Sequence, residues 1–225
     1  MTMTETPDTE KTVAAKSRRR PKTSEAMPVL ERLAELYPQL FGAVFRPLKR
    51  GIFQDLQEAH KDVFDKAALK TALAHHTRST RYLVAVAEGL QRHDLAGQPV
   101  EAMAPEHVHH ALLEVFGRRQ ARSNEDLRPT LRRRMVQAFE RSGLAPDAYA
   151  ALVLGRNEEA NQLLDEALQE VRATAAKDEA LLRAFDGGTH SVQAFAEMYG
   201  MDGSAVEQAL ERARRLRARA APAAD

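Results

Sequence analysis

Apolar side chains recur at the three- and four-residue spacing of an α-helix along almost the whole chain, and that period excludes most folds at the outset. Leu30, Leu33, Leu36, Tyr37 and Leu40 mark a first helix, with order beginning near Pro28 and Pro38 ending or bending it. After the loop GAVFRPLKRG, a short helix starts with Ile52, Phe53 and Leu56. Asp65 is placed to N-cap KAALKTALAHH, whose core face is Leu69, Ala72 and Leu73. Ser79 is placed to cap TRYLVAVAEGL, with Leu83, Val86, Ala87 and Leu90 inside. Pro105 opens a helix that buries Val108, Leu112, Val115 and Phe116.

The second half carries the same period without a break towards strand. Leu127, Leu131, Met135 and Phe139 form one stripe that Gly143 closes, and Pro146 starts a further helix that Gly155 interrupts. Leu164, Leu168, Val171, Ala175, Leu182 and Phe185 predict a long helix with a coiled-coil-like seam, spoiled at Asp178 and stopped by Gly187 and Gly188. Two more helices follow, from Ser191 to Tyr199 and from Ser204 to about Arg219.

The period fails at one place. In RHDLAGQPVEAM, Leu95 and Val100 flank Ala96 and Gly97, and glycine allows the positive φ of a tight turn. This predicts a small β-hairpin with Pro99 keeping its second strand at an edge. The fold class is therefore mainly α: a helical domain with one hairpin, followed by an accessory all-helical region.

Composition narrows the function. None of the 225 residues is cysteine, which excludes disulfides and thiolate zinc sites and fits an intracellular protein. No apolar run reaches the roughly 20 residues of a membrane span, and MTMTETPDTEK lacks the apolar core of a secretory leader. A cytoplasmic protein is expected. The formal net charge is only +1, but its distribution is uneven. Lys11, Lys16, Arg18, Arg19, Arg20 and Lys22 form one basic run. Arg118, Arg119, Arg122, Arg128, Arg132, Arg133 and Arg134 form a second, and Arg212, Arg214, Arg215, Arg217 and Arg219 a third. Acids gather between Glu158 and Glu179. Such separation suits a polyanionic partner, although each block also reads as a solvated face or tail. Residues 1–27 lack large apolar groups apart from methionine and valine and are expected to be a disordered basic arm.

The stretch HTRSTRYL, His76 to Leu83, carries the most chemistry. A helix N-terminus presents unpaired N–H groups and the positive end of a dipole, so it attracts anions. Thr77 and Ser79 add hydroxyls, Arg81 offers a bidentate fork, and Tyr82 can stack on an unpaired base or donate to a phosphate oxygen. Lys66 and Lys70, four apart on the preceding helix, share a face. The same residues also read as a plain cap and a core ring. His107 and His110 share a helix face without a third ligand, so they read as surface or capping residues rather than a metal site. No phosphate-binding loop, zinc-protease motif, nucleophile elbow or dinucleotide fingerprint occurs; neither an enzyme nor a cofactor is expected.

Four strings in order carry a resemblance: RPLKRGIFQDL (Arg46 to Leu56), ALKTALAHHTRSTRYL (Ala68 to Leu83), RHDLAGQPV (Arg92 to Val100) and EHVHHA (Glu106 to Ala111). Over about residues 28–118 the chain resembles the ProQ/FinO family. The resemblance implies a helical domain with a small hairpin and RNA chaperone activity on structured RNAs, notably terminator hairpins with a 3′ single-stranded tail. It further implies stabilisation of small RNAs and help in RNA–RNA pairing, with small RNAs and mRNA 3′ ends as partners. By motif match, Lys49 is implied as a basic contact, Lys66 and Lys70 as contacts to the duplex, and Arg92 as a backbone contact. Thr77, Ser79, Arg81 and Tyr82 are implied as the pocket for terminal nucleotides. Ala74 stands where some members carry arginine, and Arg78 adds a charge beside the pocket. The segment between Leu56 and Lys66 is shorter than in some members.

The expected organisation is an arm at 1–27, the RNA-binding domain at 28–118, a helical extension at 119–219 and a tail at 220–225. Within 191–219, FAEMYGMDGSAVEQAL resembles a helix-turn-helix, with Ala196, Gly200 and Val206 at its small, turn and buried positions. Two rival readings remain: a DNA-binding regulator acting through that segment, and a helical protein-interaction adaptor docking through 157–186.

Overall fold

The computed structural model describes residues 23–188 and 191–220. The basic run at residues 11–22, most of the expected arm and tail residues 221–225 lie outside them. The first helix, α1, spans Thr23–Leu36 and holds Pro28 inside it, so order begins earlier than expected. The reason is packing. Ala26 is buried, and this holds the turn before the proline although its sequence is polar.

Helices α2 (Pro38–Phe41), α3 (Ile52–Ala59), α4 (Lys66–Thr77) and α5 (Thr80–Ala87) follow. Both expected caps form: Asp65 accepts from the Ala68 amide at 2.8 Å, and Ser79 accepts from the Tyr82 amide at 3.2 Å. Leu90, expected inside, is exposed, because α5 stops at Ala87 and Gly89 turns the chain away at φ 71°.

Strands β1 (Arg92–His93) and β2 (Pro99–Glu101) pair antiparallel as the hairpin. Gly97 needs its freedom twice. Its φ is 76°, and an added Cβ would come within 2.6 Å of Gln39 Cγ. Gln39 is there because its amide donates to the Leu95 carbonyl at 2.9 Å, tying α2 to the hairpin. The RPLK segment completes the arrangement. The Lys49 amide donates to the His93 carbonyl and the His93 amide to the Pro47 carbonyl, both at 2.8 Å.

Helices α6 (Pro105–Gln120), α7 (Arg128–Ser142), α8 (Pro146–Val153) and α9 (Glu158–Asp186) continue the chain. One apolar core runs from Leu33 to Leu168 and includes Leu131, Met135, Phe139, Tyr149 and Leu164. It therefore does not stop at residue 118. A second core joins Leu182 of α9 to Phe195 and Ala196 of α10 (Val192–Tyr199) and to Val206 and Leu210 of α11 (Gly203–Ala220).

Helix α9, about 43 Å long at 1.5 Å per residue, belongs to both cores: it packs on α7 and then on α11. Asp178, expected to spoil its seam, instead bridges it. The carboxylate is buried and receives both prongs of Arg212, at 2.7 and 3.0 Å. Periodicity counted Asp178 as a break because its partner lies 34 residues away. No described helix is long and apolar enough to cross a membrane.

Candidate nucleic-acid interface

Helix α4 ends where α5 begins, and the two-residue joint exposes the first turn of α5. The amides of Thr80 and Arg81 there are too early in the helix to have an i−4 acceptor. Arg118, from α6, braces this corner: its guanidinium donates to the Arg78 carbonyl at 2.9 Å and to Thr80 Oγ1 at 3.1 Å. Beside the corner lies an open groove of about 360 Å³ between α5, α6 and the hairpin. Thr77, Arg78, Tyr82 and Arg92 line it, together with His107, His110, Glu114 and Arg118.

The expected site residues are thus divided. The groove brings together Thr77, Arg78, Tyr82 and Arg92 but not Arg81. Arg81 lies 4.5 Å over the Phe45 ring and donates to the Ala43 carbonyl. Ser79 is occupied as the cap of α5. Thr77 donates its hydroxyl to the Leu73 carbonyl at 2.9 Å, which leaves the oxygen lone pairs for other donors.

One expected role is corrected, and a second residue is tied to internal partners. Tyr82 is only 6% exposed, so its ring cannot stack on a base. Its hydroxyl instead accepts the Leu48 amide at 3.0 Å and anchors the RPLK segment to α5. Burial raises the phenol pKa, against the opposing effects of the Leu48 hydrogen bond and Arg92. Arg92 donates to the Leu48 carbonyl at 3.0 Å and pairs with Glu101 at 3.4 Å, with its side chain 13% exposed. It holds the hairpin and also lines the groove. Burial explains both observations, and a motif does not reveal burial.

Outside the groove, Lys66 and Lys70 are exposed one turn apart on α4, with no ion pair among the described residues. Lys49 is bound to Asp55 at 2.8 Å, and that carboxylate raises its pKa. His76, packed against Phe41, Phe45 and Tyr82, is buried. Burial, then His75 and Arg81, lower its pKa to about 4, so it is neutral near pH 7.

Four polar groove residues were not assigned to the site from sequence: His107, His110, Glu114 and Arg118. The signal was present in part, since His107, His110, Glu114 and Arg118 follow one another at three- and four-residue spacing on α6. Missing was any sign that this face looks across at the start of α5. Among the described residues no cluster of three or more metal-ligating side chains forms.

The geometry at this point is a helical domain with a hairpin and a cationic corner at a helix start. Residues 23–128 match the family model described as ProQ/FINO family. Over this stretch, just under half of the chain, the protein is similar to the ProQ/FinO family. Over 94 residues it is 43% identical to the RNA chaperone ProQ of Idiomarina loihiensis, covering 40% of this chain and 45% of that protein. The RNA chaperone ProQ of Alteromonas mediterranea is 40% identical over 94 residues, 40% of this chain and 42% of the relative. The chain thus spans less than half the length of these curated relatives. The crystal structure of a FinO-like RNA chaperone from Neisseria meningitidis MC58 aligns with 40% of this chain and 93% of its own, at 32% identity and a TM-score of 0.36.

Proposed function

We propose that this protein binds structured RNA and acts as an RNA chaperone in the cytoplasm, with no catalytic step. The observation that carries the reading is the groove beside the first turn of α5, where Arg78 and Arg118 surround a helix start that attracts anions. The names of the curated relatives support it. The favoured substrate is a hairpin with a 3′ single-stranded tail, such as a terminator. A-form duplex hides its base edges, so the stem is held through phosphates and shape while the end of the tail enters the groove. Lys66 and Lys70 then contact the stem. Stabilising small RNAs and pairing them with mRNA 3′ ends follow as roles, because bound cations reduce the repulsion between two strands.

Neither rival reading gains support. Helices α10 and α11 do form a helix-turn-helix shape around Gly200, with Ala196 and Val206 buried. However, the exposed start of α11 carries Glu207 and Gln208, which suit a phosphate surface poorly. An adaptor would need the apolar stripe of α9, which is already covered by α7 and α11.

The test is a titration of the full chain with a hairpin carrying a 3′ U-tail. Comparison ligands are the same hairpin without its tail, the hairpin with a 3′ phosphate, and duplex DNA. Salt-sensitive preference for the tailed hairpin, lowered in Arg78→Gln, is the expected result. Equal binding of all four ligands, unchanged in Arg78→Gln, would overturn the reading. Tyr82→Ala is a poor probe, because it removes a core ring along with the hydroxyl.

A further inference from the structure

Helix α7 has two unlike flanks. On one, Arg132 pairs with Glu166 at 3.2 Å and Glu170 at 3.6 Å of α9, and Arg128 at the start of the helix pairs with Asp126 at 2.9 Å. On the other, Arg134 and Arg141 lie two turns apart on α7, and α7 packs on α6, which carries Arg119. Among the described residues no carboxylate forms an ion pair with Arg119, Arg134 or Arg141.

The fold anchors Arg141 and sets the charges of Arg119 and Arg141 within reach of Arg134. Arg141 donates to the Glu88 carbonyl at 2.8 Å, a cation at the C-terminal end of α5 where the helix dipole favours it. That bond fixes α7 to α5 without cancelling any charge. Arg134 is half-buried between its neighbours. Burial, then Arg119 and Arg141, depress its pKa while Glu88 opposes them, yet an arginine remains protonated. Glu88 is the one carboxylate whose charge acts on Arg134 among the described residues. Arg118, adjacent to Arg119, lines the groove and braces the N-terminal end of α5. The arginines therefore continue from the groove along the α5–α7 layer to the other end of α5.

We propose that Arg119, Arg134 and Arg141 form a second phosphate-binding surface, which takes the backbone of the same RNA whose end lies in the groove. The inference rests on the RNA reading above and adds to it. Arg134 and Arg141 lie beyond residue 128, where the family match stops. A guanidinium binds phosphate in a bidentate fork, and each contact releases condensed counterions. A shared polyanion would also relieve the repulsion among the three cations. The surface reads no sequence. It would lengthen the footprint and orient the RNA relative to the groove.

The experiment measures the salt dependence of binding by the full chain to the tailed hairpin and to a tailless RNA duplex. Variants are the exposed single change Arg119→Glu, the triple change Arg119→Gln/Arg134→Gln/Arg141→Gln, the matching triple lysine change, and Arg132→Gln from the ion-paired flank. Each lost phosphate contact should lower the log–log salt slope by about one, so the triple glutamine change should lower it by about two to three on both RNAs. Arg119→Glu, which breaks no internal contact, should lower it in the same direction. The lysine triple should keep most of the slope, and Arg132→Gln should keep all of it. Unchanged slopes in Arg119→Glu and in the glutamine triple, while Arg78→Gln still weakens binding, would overturn this surface alone. A wild-type chain that binds neither RNA would overturn both readings.

Discussion

The two ends of the molecule use arginine in different ways. In the C-terminal lobe, several arginines meet carboxylates: Arg212 meets Asp178, Arg183 meets Glu179, Arg215 meets Glu211, and Arg217 spans Glu179 and Asp186. Around α5, Arg81 and Arg141 donate to backbone carbonyls and stay uncompensated, while Arg118 divides its fork between a carbonyl and Glu114. A carbonyl satisfies guanidinium donors without neutralising the charge. Both ends look basic in sequence, yet the arginine charge is largely neutralised in one and left available to a polyanion in the other.

The largest expected effect concerns whether the two ends are separate units. Phe195→Ala should cost about 3–5 kcal/mol within the second core, and amide exchange should rise in α10 and α11 while α4 to α6 keep their protection. Equal loss of protection across both cores would merge them into one cooperative unit.

Acid should separate the two ends from the other side. His76 and His109 belong to the first core, and burial lowers both pKa values to about 4. The unfolded chain, with histidine near 6.5, takes up their protons first. Stability from these residues is therefore complete above about pH 6.5 and is lost as pH falls towards 4, by at most about 3 kcal/mol each. Urea midpoints at pH 7, 5.5 and 4 should show the decline, and His109→Asn should reduce its slope. A flat profile would show that neither ring is held neutral by burial.

A smaller effect is expected at the bridge between α9 and α11. Arg212→Ala strands the buried Asp178 carboxylate, at a cost of about 2 kcal/mol once the partial exposure of Arg212 is allowed for. The loss should appear in the distal half of α9 and in α11, with RNA affinity unchanged. Lowered RNA affinity would show that the two ends are coupled.

The smallest effect is also the sharpest on the site. Arg78→Gln should lower the salt slope for the tailed hairpin by about one, and Arg81→Gln, which lies outside the groove, should lower it by less. The reverse order would move the site to the Phe45 side of α5.

Much of the local structure was legible because its causes are local. Asp65 and Ser79 cap their helices through amides three residues ahead, and Gly97 turns the hairpin by its own φ. The candidate site was legible in part. HTRSTRYL pointed to the corner that borders the groove, but whether Tyr82 faces RNA or core depends on Leu48, 34 residues away, and Arg118 reaches the corner from 38 residues beyond Thr80. Asp178 failed the periodicity for the same reason: an acid on an apolar seam makes sense only beside Arg212.

By itself, then, the sequence determined the helical period, the caps, the single hairpin and the family strings, since each depends on dihedral preference or side-chain spacing within a few residues. Tertiary structure decided which arginines keep an uncompensated charge, which histidines are neutral and where one core gives way to the next. Those properties depend on burial and on partners tens of residues apart, which no local pattern encodes.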